Sequence, residues 1–182
     1  MEVRDAAALI APAIQQRGGT WADLGAGAGT FTRALASLLG ESGRTYAVER
    51  DRVALTKLRA LADQTRSTSG EIVALKGDFT RPLDLPPLDG ALIANALHFV
   101  SAVEQPGVLA RIARGVRPGG QIVIVEYESR GPSRWVPYPV SLARLEEIAR
   151  AAQLGAPVSL GTRPSEFGGT LYAAAMAVAI IP

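Results

Sequence analysis

The chain reads as a doubly wound α/β protein: a mostly parallel sheet of seven strands, helices on both faces, and a C-terminal antiparallel hairpin. Three observations carry this reading. Short apolar runs alternate with helix-like segments along the 182 residues, the pattern of parallel strands joined by helical crossovers. A glycine-rich turn, Gly25 to Gly29, separates the first run from the helix after it. The last two runs, 156–160 and 170–180, are joined only by a polar loop. With 48% hydrophobic and 20% charged residues, a packed fold is expected, and the length suits one domain spanning 1–182.

Composition also excludes several chemistries. The chain has no cysteine, so disulfides, thiolate metal sites and cysteine nucleophiles are ruled out, and no metal is expected. A net charge of +2 is too small to argue for nucleic acid. The N-terminus carries Glu2, Arg4 and Asp5, and its apolar run contains Pro12, unlike a secretory signal. Leu171 to Ile181 is about half the length a helix needs to cross a bilayer. A cytoplasmic protein without a membrane span is expected.

Residues 2–16 pattern as a helix, with Val3, Ala7, Leu9, Ile10 and Ile14 mostly on one face. Trp21 to Leu24 is a short buried strand holding Asp23. Gly25, Gly27 and Gly29 follow, where a turn needs positive φ or close approach to the backbone. Thr30 is a good N-cap for a helix from Phe31 to Leu39. Strand, turn and helix gather N–H groups at one point, where open α/β sheets bind nucleotide-like ligands. A dinucleotide fingerprint is Gly-x-Gly-x-x-Gly; here the third glycine comes one residue early. The run Asp23-Leu24-Gly25-Ala26-Gly27-Ala28-Gly29 resembles the first motif of class I S-adenosylmethionine-dependent methyltransferases, acid-x-Gly-x-Gly-x-Gly. The resemblance implies that Asp23, Gly25, Ala26, Gly27 and Gly29 serve that cofactor. It also implies that the helix in 1–19 covers the cofactor pocket.

Arg44 to Val48 forms the second strand and ends at Glu49 and Arg50. An acid there, about 20 residues beyond the glycine turn, suits the hydroxyls of a ribose. Glu49 supports an adenosine ligand without choosing between cofactors. Asp51 caps a helix over 52–62 with Val53, Leu55, Leu58 and Leu61 inward. Ile72 to Leu75 is the third strand, followed by Gly77-Asp78-Phe79. In the resembled family the acid at this point accepts from the adenine amino group and its neighbour packs on the ring.

Residues 81–89 contain three prolines and read as a loop before a fourth strand, Gly90 to Ala94. That strand runs into Asn95-Ala96-Leu97-His98-Phe99-Val100, which resembles the fourth motif of small-molecule methyltransferases and implies that Asn95 lies beside the methyl donor. It does not resemble the Asn-Pro-Pro-Tyr type that methylates planar amide or amino nitrogens, which argues against N6-adenine and glutamine methylation. A helix over 104–116 places Arg111, Arg114 and Arg117 on roughly one side. Pro118-Gly119-Gly120 matches the family's turn before a fifth strand, Gln121 to Tyr127. Its uninterrupted centre, Ile122 to Val125, suits a buried parallel strand, and Glu126 breaks the run. Residues 128–139 form the longest irregular stretch, at the ligand-binding end of a central strand. Ser141 caps a helix to about Leu154. The final hairpin resembles the sixth and seventh strands of the methyltransferase sheet.

Taken together, these features suggest a near-minimal methyltransferase domain that uses S-adenosyl-L-methionine and releases S-adenosyl-L-homocysteine. The expected acceptor is a small molecule methylated at oxygen or carbon. His98, the only histidine, is the candidate base because its side chain titrates near neutral pH. Tyr127, Trp135 and Tyr138 are candidates to wall the acceptor, and Arg130 and Arg134 to meet an acidic group on it. An RNA or protein methyltransferase, a nicotinamide-dependent oxidoreductase and a non-catalytic S-adenosylmethionine-binding protein stay open as alternatives.

Overall fold

A computed structural model describes residues 1–65, 70–128, 131–166 and 168–179. Seven strands form one sheet in the order β3-β2-β1-β4-β5-β7-β6. They are β1 (Gly19–Leu24), β2 (Gly43–Glu49), β3 (Glu71–Lys76), β4 (Leu88–Ala94), β5 (Val116–Tyr127), β6 (Val158–Pro164) and β7 (Thr170–Ala177). The first five pair in parallel, and β7 runs antiparallel to both β5 and β6. The helices are α1 (Val3–Ile10), α2 (Thr30–Leu39), α3 (Arg52–Thr65), α4 (Gln105–Ala113) and α5 (Leu142–Ala151).

Side chains alternate across the sheet with period two, and this sorts the core into layers. Trp21, Leu92, Val123, Val125, Ala173 and Ala175 pack with Leu9 and Ile10 of α1 and Phe31 and Leu35 of α2. Ala22, Leu24, Ile93, Ile122, Ile124 and Tyr172 pack with Leu109 of α4 and Leu145 and Ile148 of α5. A satellite joins Leu58 and Leu61 of α3 to Ala47 and Ile72. Residues on both faces of the central strands are thus buried, which explains their near-continuous apolar runs. Gly90 has a packing reason: a Cβ there would lie 2.5 Å from the Trp21 ring.

Several boundaries differ from the sequence expectation. The first helix ends at Ile10 and passes into a 3₁₀ turn, Ala11–Ala13, that contains Pro12; proline lacks the N–H that would continue the α-helical ladder. The N-cap of α2 is Gly29, at φ 92°, and Thr30 is its first helical residue. Asp51 does cap α3, accepting from the Ala54 N–H at 2.8 Å. Val53, expected inward, is 67% exposed. Helix α4 stops at Ala113, and β5 begins at Val116 and runs through Pro118-Gly119-Gly120. A register shift against β4, between Leu88 and Gly90, absorbs that stretch. Strand β7 ends at Ala177, and residue 180 of the expected strand lies outside the described residues. Among the described residues no helix is long and apolar enough to cross a membrane.

Candidate active site

Parallel pairing puts the C-terminal ends of β1 to β4 side by side, so the segments leaving them converge. Gly25 and Ala26 N–H both donate to Val48 O, at 2.9 and 3.1 Å, and Gly77 N–H donates to Glu49 O at 3.1 Å. These bonds register each exit against its neighbour. Between the exits lies a cavity of about 340 Å³. Gly25 and Gly27 come to it from β1, Glu49, Arg50 and Asp51 from β2, Gly77 to Thr80 from β3, and Asn95, Ala96, Phe99 and Val100 from β4.

The three glycines of the turn do different work. A Cβ on Gly25 would lie 2.7 Å from Ala96 Cβ and 3.2 Å from the Phe79 ring, so Gly25 lets the two exits close together. A Cβ on Gly29 would lie 2.7 Å from Leu61, so Gly29 lets α2 pack on α3. Gly27, at φ 55°, has nothing within 4 Å of a built Cβ. Only Gly27 opens its space to the cavity.

Glu49 ties the site together. Its Oε2 accepts from Gly27 N–H and its Oε1 from Asp51 N–H, both at 2.8 Å. A carboxylate oxygen carries two lone pairs, so each oxygen keeps capacity for a ligand hydroxyl. Asp78 accepts from the Thr80 N–H at 3.0 Å and the Thr80 hydroxyl at 2.7 Å, and lies 3.7 Å from Arg50. Burial opposes its charge, yet the Thr80 bonds and the nearby Arg50 and Arg81 charges hold its carboxyl below the usual range.

Asp23 and Ala26 do not line the cavity. Asp23 is buried behind the turn, where its Oδ2 accepts from the Thr32 hydroxyl at 2.6 Å. Burial pushes its pKa up to about 7; the Thr32 bond opposes the rise and the Glu49 charge adds to it. Ala26 packs against the Leu58–Leu61 cluster. None of the described residues in 1–19 lines this cavity either. Met1 instead borders a second, smaller one, together with Asn95 and Tyr127.

Beyond Asn95, the candidates separate. His98 is only 2% exposed and lines neither cavity. Its N–H donates to Glu126 Oε1 at 3.1 Å, and its Nδ1 lies 2.6 Å from Glu126 Oε2. The ring packs 4.4 Å from Phe99 and 6.2 Å from Tyr127. Glu126, the one acid in an otherwise apolar run, was visible in the sequence as an interruption; its partner was not. Trp135 is 73% exposed, Tyr138 is also exposed, and the Arg134 guanidinium sits 5.7 Å over the Trp135 ring. None of these three lines either cavity. Arg130 lies outside the described residues. Of the three spaced arginines, Arg111 donates to Thr80 O at 2.6 Å and Arg117 pairs with Asp89, so two of them serve internal contacts.

Residues 22–120 match the family model for the methyltransferase domain, more than half of the chain. None of the curated protein sequences matches it. Among solved structures, the chain is similar to the Burkholderia thailandensis 1,6-didemethyltoxoflavin-N1-methyltransferase, crystallised with S-adenosylhomocysteine. That likeness has 26% identity and TM-score 0.74, over 98% of this chain and 78% of that one. It is also similar to a SAM-dependent methyltransferase from Aquifex aeolicus, with 19% identity and TM-score 0.70 over 90% and 84% of the two chains. An arsenic (III) S-adenosylmethionine methyltransferase from Chlamydomonas reinhardtii matches with 17% identity and TM-score 0.72 over 99% and 74%. The last two likenesses speak for the fold alone. With the early third glycine, the family match decides between methyl transfer and a nicotinamide cofactor. The chain belongs to the methyltransferase-domain family and is an S-adenosylmethionine-dependent methyltransferase.

Proposed function

We propose that the chain methylates a small-molecule acceptor, at oxygen or carbon, in a site spanning the Gly27 cavity and the Asn95 corner. The observation that carries this reading is the convergence of Gly27, Glu49, Asp78 and Asn95 on one cavity. The residues fit the cofactor: the built Cβ of Gly27 meets open space, and Glu49 and Asp78 place carboxylates at the cavity wall. In this reading Glu49 holds the ribose hydroxyls, Asp78 and Phe79 the adenine, and Gly25 and Gly27 the backbone-facing end of the cofactor. When bound, S-adenosylmethionine supplies an electrophilic methyl group on a sulfonium, a very good leaving group. The chain's own contribution is to align the acceptor and exclude water, which is how proximity lowers a barrier.

A base is needed only where the acceptor must lose a proton. His98 was the candidate, with Glu126 on Nδ1 leaving Nε2 as the nitrogen that could take the proton. Its burial outside both cavity walls favours a second reading, in which the His98–Glu126 pair braces the β4 exit against β5. The absence of an Asn-Pro-Pro-Tyr run after β4 counts against a planar amide or amino nitrogen as the acceptor. The test is S-adenosylhomocysteine binding by calorimetry, then methyl transfer to a panel of phenols, carbon acids, ring nitrogens, RNA and peptides. Turnover confined to RNA, peptides or ring nitrogens would sink the proposal.

A further inference from the structure

The smaller cavity holds about 60 Å³, and Asn95 lies on the walls of both cavities. Its other walls include Tyr127 at the end of β5 and Arg163 and Glu166 at the β6–β7 return. Two polar atoms of its lining residues are buried without a hydrogen-bond partner among the described residues: the Asn95 side-chain oxygen and Arg163 Nε. Unmet buried polar groups each cost about 1–3 kcal/mol, and both atoms belong to residues that line this cavity. Asn95 also holds φ 51°, the left-handed region that asparagine enters more readily than other non-glycine side chains do.

The two demands are opposite. Arg163 Nε can only donate, and the Asn95 oxygen can only accept. The charges beside them are already matched: Arg163 Nη2 donates to Asp5 Oδ2 at 3.0 Å, and Glu166 accepts from the Met1 ammonium at 2.6 Å. With both cations already paired, an entering carboxylate would find no free counter-charge among the lining residues to offset the cost of burying it. The volume equals that of roughly two waters in the liquid, room for one polar group of a larger molecule. We propose that this cavity seats the polar end of the methyl acceptor. It takes a neutral group that offers a carbonyl oxygen to Arg163 and an adjacent N–H to Asn95, as a lactam does. This rests on the methyl-transfer reading above, and Asn95 joins the two cavities. It also replaces the acidic acceptor group expected opposite Arg130 and Arg134.

The probe is 2-pyridone, which carries both groups; N-methyl-2-pyridone lacks the donor, and benzoate is anionic. Each is titrated by NMR into protein saturated with S-adenosylhomocysteine, whose own binding is first measured by calorimetry. Failure at that first step overturns the methyl-transfer reading, whereas failure only with the probes overturns this proposal alone. The expected result is that 2-pyridone moves the Arg163 Nε–H resonance and binds at least about fivefold tighter than either analogue, the size of one hydrogen bond. Arg163→Lys keeps a cation for Asp5 but removes Nε, and should weaken 2-pyridone by about fivefold or more. Asp5→Asn breaks the ion pair but spares Nε, and should leave affinity within about twofold. Equal weakening by both variants would make Arg163 a brace and overturn the proposal. So would absent binding of all three probes, or equal binding of N-methyl-2-pyridone or benzoate. If Arg163→Lys fails to fold, the wild-type resonance shift and the ranking of the probes still decide.

Discussion

The cavity around Gly27 and the corner around Asn95, His98 and Arg163 are neighbours built in different ways. The first is assembled from the ends of adjacent parallel strands, each carrying its functional residues within a few positions of the strand's end. The Glu49 carboxylate bonds the β1 exit at Gly27 and its own β2 exit at Asp51. The second depends on contacts across the chain: His98 reaches Glu126 on β5, and Arg163 reaches Asp5 ahead of the sheet. One region is therefore local in sequence and backbone-defined, and the other is side-chain-defined and long-range. Substitutions should separate donor binding from acceptor handling along that line.

The largest effect is expected at Gly27. A valine there fills open cavity space and must hold φ 55°, so Gly27→Val should abolish S-adenosylhomocysteine binding by calorimetry while the chain stays folded. Retained affinity would mean that the cavity is not the donor site.

The next effect lies behind the turn and is read in stability. Burial pushes the Asp23 carboxyl up to about 7, against 3.8 for an ordinary aspartate. Between those values the folded chain keeps a proton that the unfolded chain has released, so stability falls as pH rises from about 4 to about 7 and levels off above. At 1.36 kcal/mol per unit the total is at most roughly 4 kcal/mol. Thermal melts at pH 5 and pH 7.5 should show about 2.5 kcal/mol of this loss in wild type and little of it in Asp23→Asn. Parallel pH profiles for the two proteins would count against a buried protonated Asp23.

Glu49→Ala removes both the loop's acceptor and the proposed ribose contact. Charge-assisted hydrogen bonds contribute about 1.5–3 kcal/mol, so affinity for S-adenosylhomocysteine should drop about 10- to 150-fold. A drop under about threefold would reduce Glu49 to a loop anchor. Asp78→Ala should cost less, about fivefold to tenfold, as one hydrogen bond is lost.

The smallest effect on turnover is expected at His98. Glutamine can still donate to Glu126, so His98→Gln should keep the brace. With a true acceptor and saturating donor, kcat should stay within about tenfold of wild type; a loss of about 10²- to 10⁴-fold would restore His98 as the general base.

The strands, the family resemblance and the residues that gather around the Gly27 cavity were legible in the sequence, because these rest on strand-end motifs. The spacing of Gly25, Gly27 and Gly29, the acid at Glu49 and the Gly77-Asp78-Phe79 run each occupy a few consecutive residues. Parallel strand order then brings the motifs together without any further choice of side-chain position. The sequence did not distinguish the glycines, since whether a missing Cβ serves packing or a ligand depends on what faces it: Leu61 for Gly29, open space for Gly27. Nor did it place Val53 outward, or turn Asp23 inward onto Thr32. The Asn95–Arg163 cavity exists only once the chain has folded back on itself. The antiparallel return of β6 and β7 beside β5 carries Arg163 back to the β4 exit, and no local pattern around either residue encodes that meeting.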